Sequence, residues 1–427
     1  MADRKKVIKN ILIALIAACI LTLAFFAGYY TRYFSRSEDE KLMEWALGLI
    51  GDNYMVYDEE TGELKEYTAD DYLKAIAGSL LDPYSVYYTK EEYTDLIATS
   101  QGNQYGVGVT FLYTEERALI FSVVGNSPAE RAGIEAGGLI TAAEYAGEKK
   151  VVSSYQDFAD ALLNIPANTE FVLYIDYGEG ERAFTVQKES FKESYVFYAD
   201  SETGYMFLSK DGSAPVGTPR ADKRIDYLPD DTAYIRYDSF MYTSAEQFGE
   251  AYAYMFSRGR SNLILDLRNN GGGYLDVMAE IGSYFLGDNQ LIAVAHSRHG
   301  EQRFYGGKSR KNANLKTVVV LGNENTASAS EALTGALIYY GVTDYDHIVV
   351  TKNAQTGKAA TYGKGIMQTT YPGGNGSALT LTTAYIYWPD NETCIHGKGI
   401  VAKEENGILA EVGADKELER AVEILGA

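Results

Sequence analysis

The sequence predicts a multidomain protein of mixed α+β and α/β class, with an N-terminal transmembrane helix. Three observations support this prediction: an uncharged apolar stretch near the N-terminus, strand-like alternation from about Tyr105, and alternating strands and helices from Thr232 onward. The chain has 427 residues, 46% of them hydrophobic and 23% charged. That length and composition are sufficient for two or three domains with cores of their own.

Residues 1–36 are predicted to form a short cytoplasmic tail and a membrane anchor. No charged residue lies between Asn10 and Thr31, and a helix of that length spans about 33 Å, enough to cross a bilayer. Four basic residues precede this stretch within the first nine positions, and the acidic Glu38-Asp39-Glu40 follows soon after it. The N-terminus is therefore expected in the cytoplasm and the remaining domains on the extracytoplasmic side of the cell membrane. A cleaved signal peptide is the alternative, although the apolar run exceeds the roughly 7–15 residues usual for a signal core.

Charge and cysteine content exclude several classes of function. The net charge of −21 argues against nucleic acid as a partner, because phosphate binding needs a basic surface. Cys19 lies in the apolar stretch and Cys394 is alone in the rest of the chain, so neither a disulfide between them nor a metal-ligand spacing is expected. No metal or organic cofactor is implied.

Residues 37–100 are predicted to be a helical segment. Apolar residues recur at intervals of three and four over Lys41–Ile50 and again over Asp70–Leu81. Asp82-Pro83 is expected to end the second helix. On pattern alone, residues 75–89, which include this Asp-Pro pair, are a helical spacer. The same phrase resembles the N-terminal helical segment of the carboxyl-terminal processing peptidases.

Residues 101–192 carry alternating strand patterns and the phrase Asn126-Ser-Pro-Ala-Glu-Arg-Ala-Gly133. Together these resemble a PDZ domain of the bacterial protease type, a β-sandwich. The resemblance implies that the loop Tyr105-Gly106-Val107-Gly108-Val109 lends backbone N–H groups to a peptide's terminal carboxylate, while the peptide adds as a strand to the sheet edge. From the residues alone, a glycine-rich hairpin without a ligand remains an alternative.

Residues 193–427 are predicted to form an α/β core. An irregular connection, with room for a short hairpin, is expected over 195–231. The alternating elements that follow comprise strands at Thr232–Tyr237, Asn262–Leu267 and Thr317–Leu321, and helices at Ala245–Ser257, at Leu275–Phe285 and after Ser328.

Ser328 and Lys364 are the residues that point to chemistry. Ser328 lies where a strand turns into a helix, so its hydroxyl would sit at a helix N-terminus, where developing negative charge is favoured. Lys364 lies between two glycines, with Gln368 four residues beyond. A serine needs a base to remove its proton, and a lysine can be that base only if burial lowers its pKa. The alternatives are a helix cap and a solvated lysine.

This set resembles the active site of the carboxyl-terminal processing peptidases, or tail-specific proteases, which use a serine–lysine dyad. The resemblance implies that Ser328, rather than Ser330, is the nucleophile and that Lys364 is the general base. It also implies that Gln368 holds the lysine amine by a hydrogen bond. No histidine lies in a sequence context typical of a Ser-His-Asp triad.

The phrase Asp266-Leu-Arg-Asn-Asn-Gly-Gly-Gly273 also resembles that family. It implies an oxyanion hole made of the backbone N–H groups of Gly273 and Ala329. A tight glycine turn after a strand is the alternative that the residues alone leave open.

Two features of the sequence complicate the assignment of the base. Lys358 and Lys398 are neighbouring lysines, but neither has a glutamine four residues on. Ser328 and Lys364 are 36 positions apart, more than is usual in the family, and the extra residues, about 343–361, are predicted to be a loop insertion.

The predicted function is that of a membrane-anchored serine endopeptidase. Its PDZ domain would capture unfolded proteins or exposed C-terminal tails, and the dyad would cleave them. A catalytically inactive, membrane-tethered PDZ adaptor is the alternative. Whether the chain forms a homo-oligomer is left open by the sequence.

Overall fold

The computed structural model describes residues 20, 22, 37–57, 62–114, 117–163, 165–206, 218–220, 223–411 and 414–426. The predicted membrane segment, Asn10–Thr31, lies almost wholly outside these residues. Among the helices that are described, none combines the length and apolar character needed to cross a bilayer. The chain divides into two compact units, Met1–Ser79 and Leu80–Ala427.

The first unit contains the predicted helix α1, Glu38–Asn53, and most of α2, Ala69–Leu80. A capping box begins α1: the Ser37 amide donates to the Glu40 carboxylate at 2.9 Å, and the Glu40 amide donates to the Ser37 hydroxyl at 3.1 Å. Both helices follow the apolar spacing of the sequence, so these two predictions are confirmed.

The second unit begins with the turn at Asp82-Pro83, the strand β1 (Val86–Tyr88) and the helix α3 (Lys90–Ser100). The strand was not predicted. β1 pairs antiparallel with Ala378–Thr380, far along the chain. The predicted helical segment over 37–100 therefore also contains a strand, and the boundary between compact units lies at residues 79 and 80.

Residues 103–192 form a mainly antiparallel β region. Its elements are β2 Asn103–Gly106, β3 Val109–Thr114, β4 Arg117–Val123, α4 Pro128–Arg131, β5 Leu139–Tyr145, β6 Glu148–Val151, α5 Tyr155–Leu163, β7 Glu170–Asp176, β8 Glu181–Gln187 and β9 Glu189–Lys192. One sheet has the order β3-β4-β5-β7-β8, with β6 along β5, and a separate pair joins β2 to β9. Inward residues of β7 such as Leu173 and Ile175 are fully buried, and Phe158 of α5 packs with them.

The remaining elements build the core that carries Ser328 and Lys364. They are β10 Val196–Ala199, β11 Gly204–Met206, β12 Thr218–Arg220, β13 Thr232–Tyr237, α6 Ser244–Ser257, β14 Asn262–Asp266, α7 Leu275–Gly282, β15 Leu291–Ser297, β16 Gly300–Tyr305, β17 Thr317–Gly322, α8 Ala329–Tyr339, β18 Ile348–Lys352, β19 Ile366–Pro372, β20 Ala378–Tyr387, β21 Gly407–Leu409 and α9 Lys416–Gly426.

An eight-stranded sheet has the order β12-β11-β10-β13-β14-β17-β18-β21, and its β13-to-β21 portion is parallel. Alternate residues of each strand enter different cores: Val318 and Val320 pack with α6, α7 and α8, whereas Val319 packs with α9. A parallel sheet covered on both faces is the α/β arrangement that the strand–helix alternation predicts. That part of the prediction is confirmed.

The stretch 195–231 was predicted as an irregular connection with room for a short hairpin, and β10 with β11 forms such a hairpin. The described strands β10, β11 and β12 also extend the large sheet, which was not predicted. A second, antiparallel sheet with the order β1-β20-β15-β16, and with β19 along β20, was also not predicted.

Candidate active site

Ser328 occupies the sharp turn between β17 and α8. Its backbone angles are φ 58° and ψ −115°, a conformation that a residue with a side chain adopts only at a cost of about 1–3 kcal/mol. Such strain is characteristic of nucleophiles presented on a strand-to-helix turn. Ser330, the other serine of this turn, is fully buried and its hydroxyl donates to the Asn270 carbonyl oxygen at 2.9 Å. Ser330 is therefore committed to packing, and Ser328 is the half-buried serine at the cavity.

The glycine turn after β14 lies directly against Ser328. A Cβ built on Gly272 would lie 2.8 Å from the Ser328 Cβ and 3.0 Å from the Ala329 backbone nitrogen. Gly273 has φ 141°, and a Cβ there would lie 2.4 Å from the Phe240 carbonyl oxygen. Both positions therefore require glycine, and the turn can approach the nucleophile only because they lack side chains.

Asn270 holds this turn in place. Its side-chain amide donates to the Tyr237 carbonyl oxygen at 2.7 Å, and its side-chain oxygen accepts from the Gly272 amide at 2.9 Å. The backbone oxygen of Asn270 accepts from the Ala327 amide at 3.0 Å, which ties the glycine turn to the turn that carries Ser328.

The backbone amides of Gly273 and Ala329 face no acceptor within the described part of the chain. The hydrogen bonds on either side of Gly273 run from the Phe240 amide to the Gly272 oxygen and from the Tyr274 amide to the Phe240 oxygen, at 2.9 and 2.8 Å. Neither of these two hydrogen bonds involves the Gly273 amide as a donor. Ala329 is the first residue of α8, where an amide has no partner within the helix. Two free donors beside a strained serine are the parts that an oxyanion hole needs.

Lys364 lines the same cavity and is half-buried. Burial lowers the pKa of its amine, and the nearby Asp82 carboxylate partly opposes that shift. The amine lies 4.5 Å from the centroid of the Tyr84 ring. Among the described residues no hydrogen bond joins this amine to the Ser328 hydroxyl or to Gln368. The amide of Gln368 instead donates to the Thr382 hydroxyl at 3.0 Å.

The two other candidate lysines are both exposed, and neither lines this cavity. Lys358 donates to the Lys398 carbonyl oxygen at 3.3 Å. The second Gly-Lys-Gly phrase, Gly397–Gly399, has a packing role: a Cβ on Gly363 would lie 2.9 Å from the Lys398 backbone nitrogen. The glycines beside Lys364 thus allow two chain segments to meet.

Glu331 joins the serine turn to the lysine segment. Its carboxylate is fully buried and accepts the backbone amides of Ser328 and Lys364, each at 2.9 Å, on one oxygen. The other oxygen accepts the Gly363 amide at 2.8 Å and the Thr361 hydroxyl. Burial raises the pKa of Glu331, and these four donors oppose that rise. Glu331 was not predicted as a site residue, although its spacing from Ser328 is that of a capping box.

The long Ser328–Lys364 interval is not one continuous loop. It contains α8, a short 3-10 helix at Tyr345–His347, and β18, which pairs with β17 and β21. Within the stretch 343–361 that was predicted as a loop insertion, Ile348–Lys352 is therefore a strand, whereas residues 353–359 lie outside helices and strands. The Glu331 contacts hold the two ends of the interval together.

The cavity at this site has a volume of about 710 Å³. None of the four histidines lines it. Its lining includes the predicted Ser328, Lys364, Gln368 and Gly273, together with apolar side chains from several elements, among them Leu96 and Ile97 of α3, Met241, Leu275, Phe304, Ile366 and Ile386.

The predicted peptide-binding loop, Tyr105–Val109, joins β2 to β3. Gly106 and Gly108 have φ values of 131° and 77°, and the amides of Val107 and Gly108 meet no acceptor in the described part of the chain. Of the described strands, β3 pairs only with β4, so its outer edge is open. Phe111 of β3 packs edge-on against Phe158 of α5, with ring centroids 4.5 Å apart.

Residues 231–405 match the model of peptidase family S41. The chain is 27% identical over 385 residues to the probable CtpA-like serine protease of Staphylococcus haemolyticus, covering 89% of this chain and 68% of that protein. It is 28% identical over 322 residues to the corresponding protein of Staphylococcus aureus strain N315, covering 75% of this chain and 56% of the relative. These similarities support a serine-type peptidase.

Among solved structures, the photosystem II D1 C-terminal processing protease aligns at 22% identity. The alignment covers 92% of each chain, with a TM-score of 0.49.

Proposed function

We propose that the chain is a serine endopeptidase in which Ser328 is the nucleophile and Lys364 the general base. The observation that carries this proposal is the convergence in one cavity of a strained serine, a desolvated lysine amine and a glycine turn with an unused amide. The absence of histidine from the lining of the described cavity favours lysine as the base.

The reaction would proceed in two stages. The neutral amine of Lys364 would take the hydroxyl proton as the Ser328 Oγ attacks the substrate carbonyl carbon. The amides of Gly273 and Ala329 would stabilise the oxyanion, and each such donor is typically worth about 10²–10³ in rate. Lys364 would then donate its proton to the leaving amine, and water would hydrolyse the acyl-enzyme ester by the same route.

The cavity walls indicate which peptide bonds would be cleaved. Met241, Leu275 and Ile386 line the space around Ser328, so an apolar side chain beside the scissile bond would be favoured. The substrate must reach the cavity as an extended chain, which is consistent with cleavage of unfolded segments or exposed tails.

The β region of residues 101–192 is proposed to be a PDZ domain that captures the C-terminus of the substrate. The free amides of Val107 and Gly108 would bind the terminal carboxylate, and the open edge of β3 beside α5 would accept the peptide as an added strand. The predicted segment Asn10–Thr31 would anchor the chain to the membrane with the peptidase on the extracytoplasmic side.

Cleavage of casein, an unfolded protein, tests the dyad. The full-length wild type should cleave casein, whereas Ser328→Ala and Lys364→Ala should lose the activity. If neither substitution changes the rate, the dyad is wrong. If the wild type is inert even with a peptide ligand present, the alternative of a membrane-tethered PDZ adaptor is favoured.

The capture step is tested by peptide binding. A peptide with a free C-terminal carboxylate should bind more tightly than the same peptide with an amidated C-terminus. Equal affinity for the two peptides would contradict capture by the Tyr105–Val109 loop.

A further inference from the structure

The turn at Asp82–Ser85 is part of the catalytic core, whereas its sequence pattern alone predicts a helical spacer. β1 follows the turn at once and pairs with β20, with Val86 opposite Thr380. β20 in turn pairs with β19, where Gln368 lies opposite Thr382. The turn is therefore held on the sheet that carries Gln368, although about 280 residues separate the two in sequence.

Tyr84 covers the amine of Lys364. The ring centroid lies 4.5 Å from the amine, and the Tyr84 hydroxyl is 2.8 Å from the hydroxyl of Tyr362, two residues before Lys364. That hydrogen bond, followed by burial, raises the pKa of Tyr84 to about 12, so the phenol stays protonated near neutral pH. A neutral ring in this position restricts the approach of water to the amine and limits its movement.

Asp82 organises the polar side of the same turn. Its carboxylate accepts the Tyr84 amide at 2.9 Å, the Ser85 hydroxyl at 2.9 Å and the Thr382 hydroxyl at 3.0 Å. Burial raises the pKa of Asp82, but these hydrogen bonds outweigh burial and hold the pKa below its usual value. The carboxylate is therefore charged near neutral pH.

The proton of Thr382 determines the orientation of Gln368. A hydroxyl has one proton, and that of Thr382 is donated to Asp82. Thr382 can then only accept from Gln368, so the NH₂ group of Gln368 points to Thr382 at 3.0 Å. The side-chain oxygen of Gln368 is left for another donor, and the lysine amine on the same cavity wall is a donor.

We propose that the Asp82–Ser85 turn is a positioning element of the catalytic centre: Tyr84 confines the Lys364 amine, and Asp82 acts through Thr382 to present the side-chain oxygen of Gln368 to that amine. This inference rests on the proposed function of Lys364 as the base. It assigns a role to a segment whose sequence pattern, without the family resemblance, predicts only a helical spacer.

The pH titration of the Lys364 amine distinguishes the effect of the Asp82 carboxylate from the effects of other charges nearby. The acidic groups at or beside the cavity are Asp82, Asp276 of α7 and Glu331 of α8, and the phenols are Tyr84, Tyr93, Tyr274 and Tyr362. Of the acidic groups, Asp82 opposes the lowering of the Lys364 pKa. Asp82→Asn should therefore move the titration of the amine to lower pH by about 0.2–0.7 units, the size expected of a solvent-screened charge.

A chemical labelling experiment measures this titration without relying on catalysis. Full-length Ser328→Ala is treated with limiting acetic anhydride over a range of pH, and acetylation of Lys364 is quantified by peptide mass spectrometry. When Asp82→Asn is added, the midpoint of Lys364 acetylation should move to lower pH. With Tyr84→Leu added, Lys364 should be labelled faster at every pH, whereas Tyr84→Phe, which keeps the ring, should match the parent.

Kinetics in the active chain test the positioning role itself. Thr382→Val removes the hydroxyl that orients Gln368 and should lower kcat about tenfold with little change in KM. Thr380→Val is the matched control, because Thr380 lies two residues away on β20 and, within the described part of the chain, its hydroxyl forms a hydrogen bond with Thr370 alone. The control should keep the wild-type kcat.

The outcomes distinguish this inference from the proposed function. Unchanged labelling in both Asp82→Asn and Tyr84→Leu, or an unchanged kcat in Thr382→Val, would overturn the positioning role. If labelling shifts as expected but Ser328→Ala still cleaves casein, the turn does control the amine and the proposed nucleophile is wrong.

Discussion

Replacing Glu331 by glutamine should loosen the link between the nucleophile turn and the lysine segment. The carboxylate is fully buried, and each of its two oxygens accepts two donors. Glutamine has one acceptor oxygen, so its NH₂ group would face one of these two donor pairs. If the NH₂ group faced Thr361 and Gly363, the Thr361 hydroxyl could turn to accept from it, and only the Gly363 amide would lose its acceptor. If the NH₂ group faced Ser328 and Lys364, both backbone amides would lose theirs.

The size of the effect follows from the hydrogen bonds that are lost or weakened. A hydrogen bond to a charged group contributes about 1.5–3 kcal/mol and one between neutral groups about 0.5–1.5 kcal/mol, so losing one bond and weakening the other three corresponds to about 4–6 kcal/mol. The substitution also removes a buried charge, which offsets part of this loss. We therefore expect about 3 kcal/mol of destabilisation, and a fall in kcat/KM of about 10²-fold because both Ser328 and Lys364 are displaced.

Urea unfolding followed by tryptophan fluorescence measures the stability change. Trp388 packs against Gly335 of α8 and is 8% exposed, whereas Trp45 is 61% exposed, so the signal reports mainly on the core around α8. Glu423→Gln is the matched control: it is the same chemical change in an exposed pair with Arg420, expected to alter stability by less than about 0.5 kcal/mol. If Glu331→Gln were as stable and as active as this control, the role assigned to Glu331 would be refuted.

Three further predictions concern the glycine turn, the pH dependence and the neighbouring serine. Gly273→Ala should lower kcat for casein cleavage at least about 10²-fold, because the new Cβ would collide with a backbone oxygen. Gly271→Ala is the control: its Cβ would meet open space in the same cavity lining, so its kcat should stay near that of the wild type. Burial lowers the pKa of Lys364 below the usual lysine value of 10.5, and the amine must be neutral to act as a base. The value of kcat/KM should therefore rise with pH through a midpoint below 10.5. A midpoint at or above 10.5 would contradict a desolvated base. Ser330→Ala should cost about 0.5–1.5 kcal/mol of stability yet retain cleavage, and loss of cleavage with intact folding would favour Ser330 as nucleophile.

Much of the core was predictable because its signals are local. Buried parallel strands such as Thr317–Gly322 are continuous apolar runs, and the strand-to-helix change places Ser328 at a turn. The glycine turn is likewise visible, since its glycines are adjacent in sequence. Interpreting these features as a site relied on the family resemblance.

The parts that could not be predicted depend on contacts between distant segments. β1 has three residues, too few to show an alternating pattern, and it exists because β20 supplies its partner. Asp82 and Thr382 are 300 residues apart, so the sequence around either residue does not indicate that they form a hydrogen bond. Within the stretch 343–361 that was predicted as a loop, Ile348–Lys352 is a strand for a similar reason, because its neighbours β17 and β21 stabilise it.

The most direct test of the Ser328–Lys364 dyad is to locate the acyl-enzyme. The full-length chain is incubated with an activated ester of an apolar acyl group, quenched in acid, and mapped by peptide mass spectrometry. The acyl group should be found on Ser328 in the wild type and should fail to accumulate in Lys364→Met. Acylation of Ser330 or Cys394 instead, or undiminished acylation of Ser328 in Lys364→Met, would contradict the account.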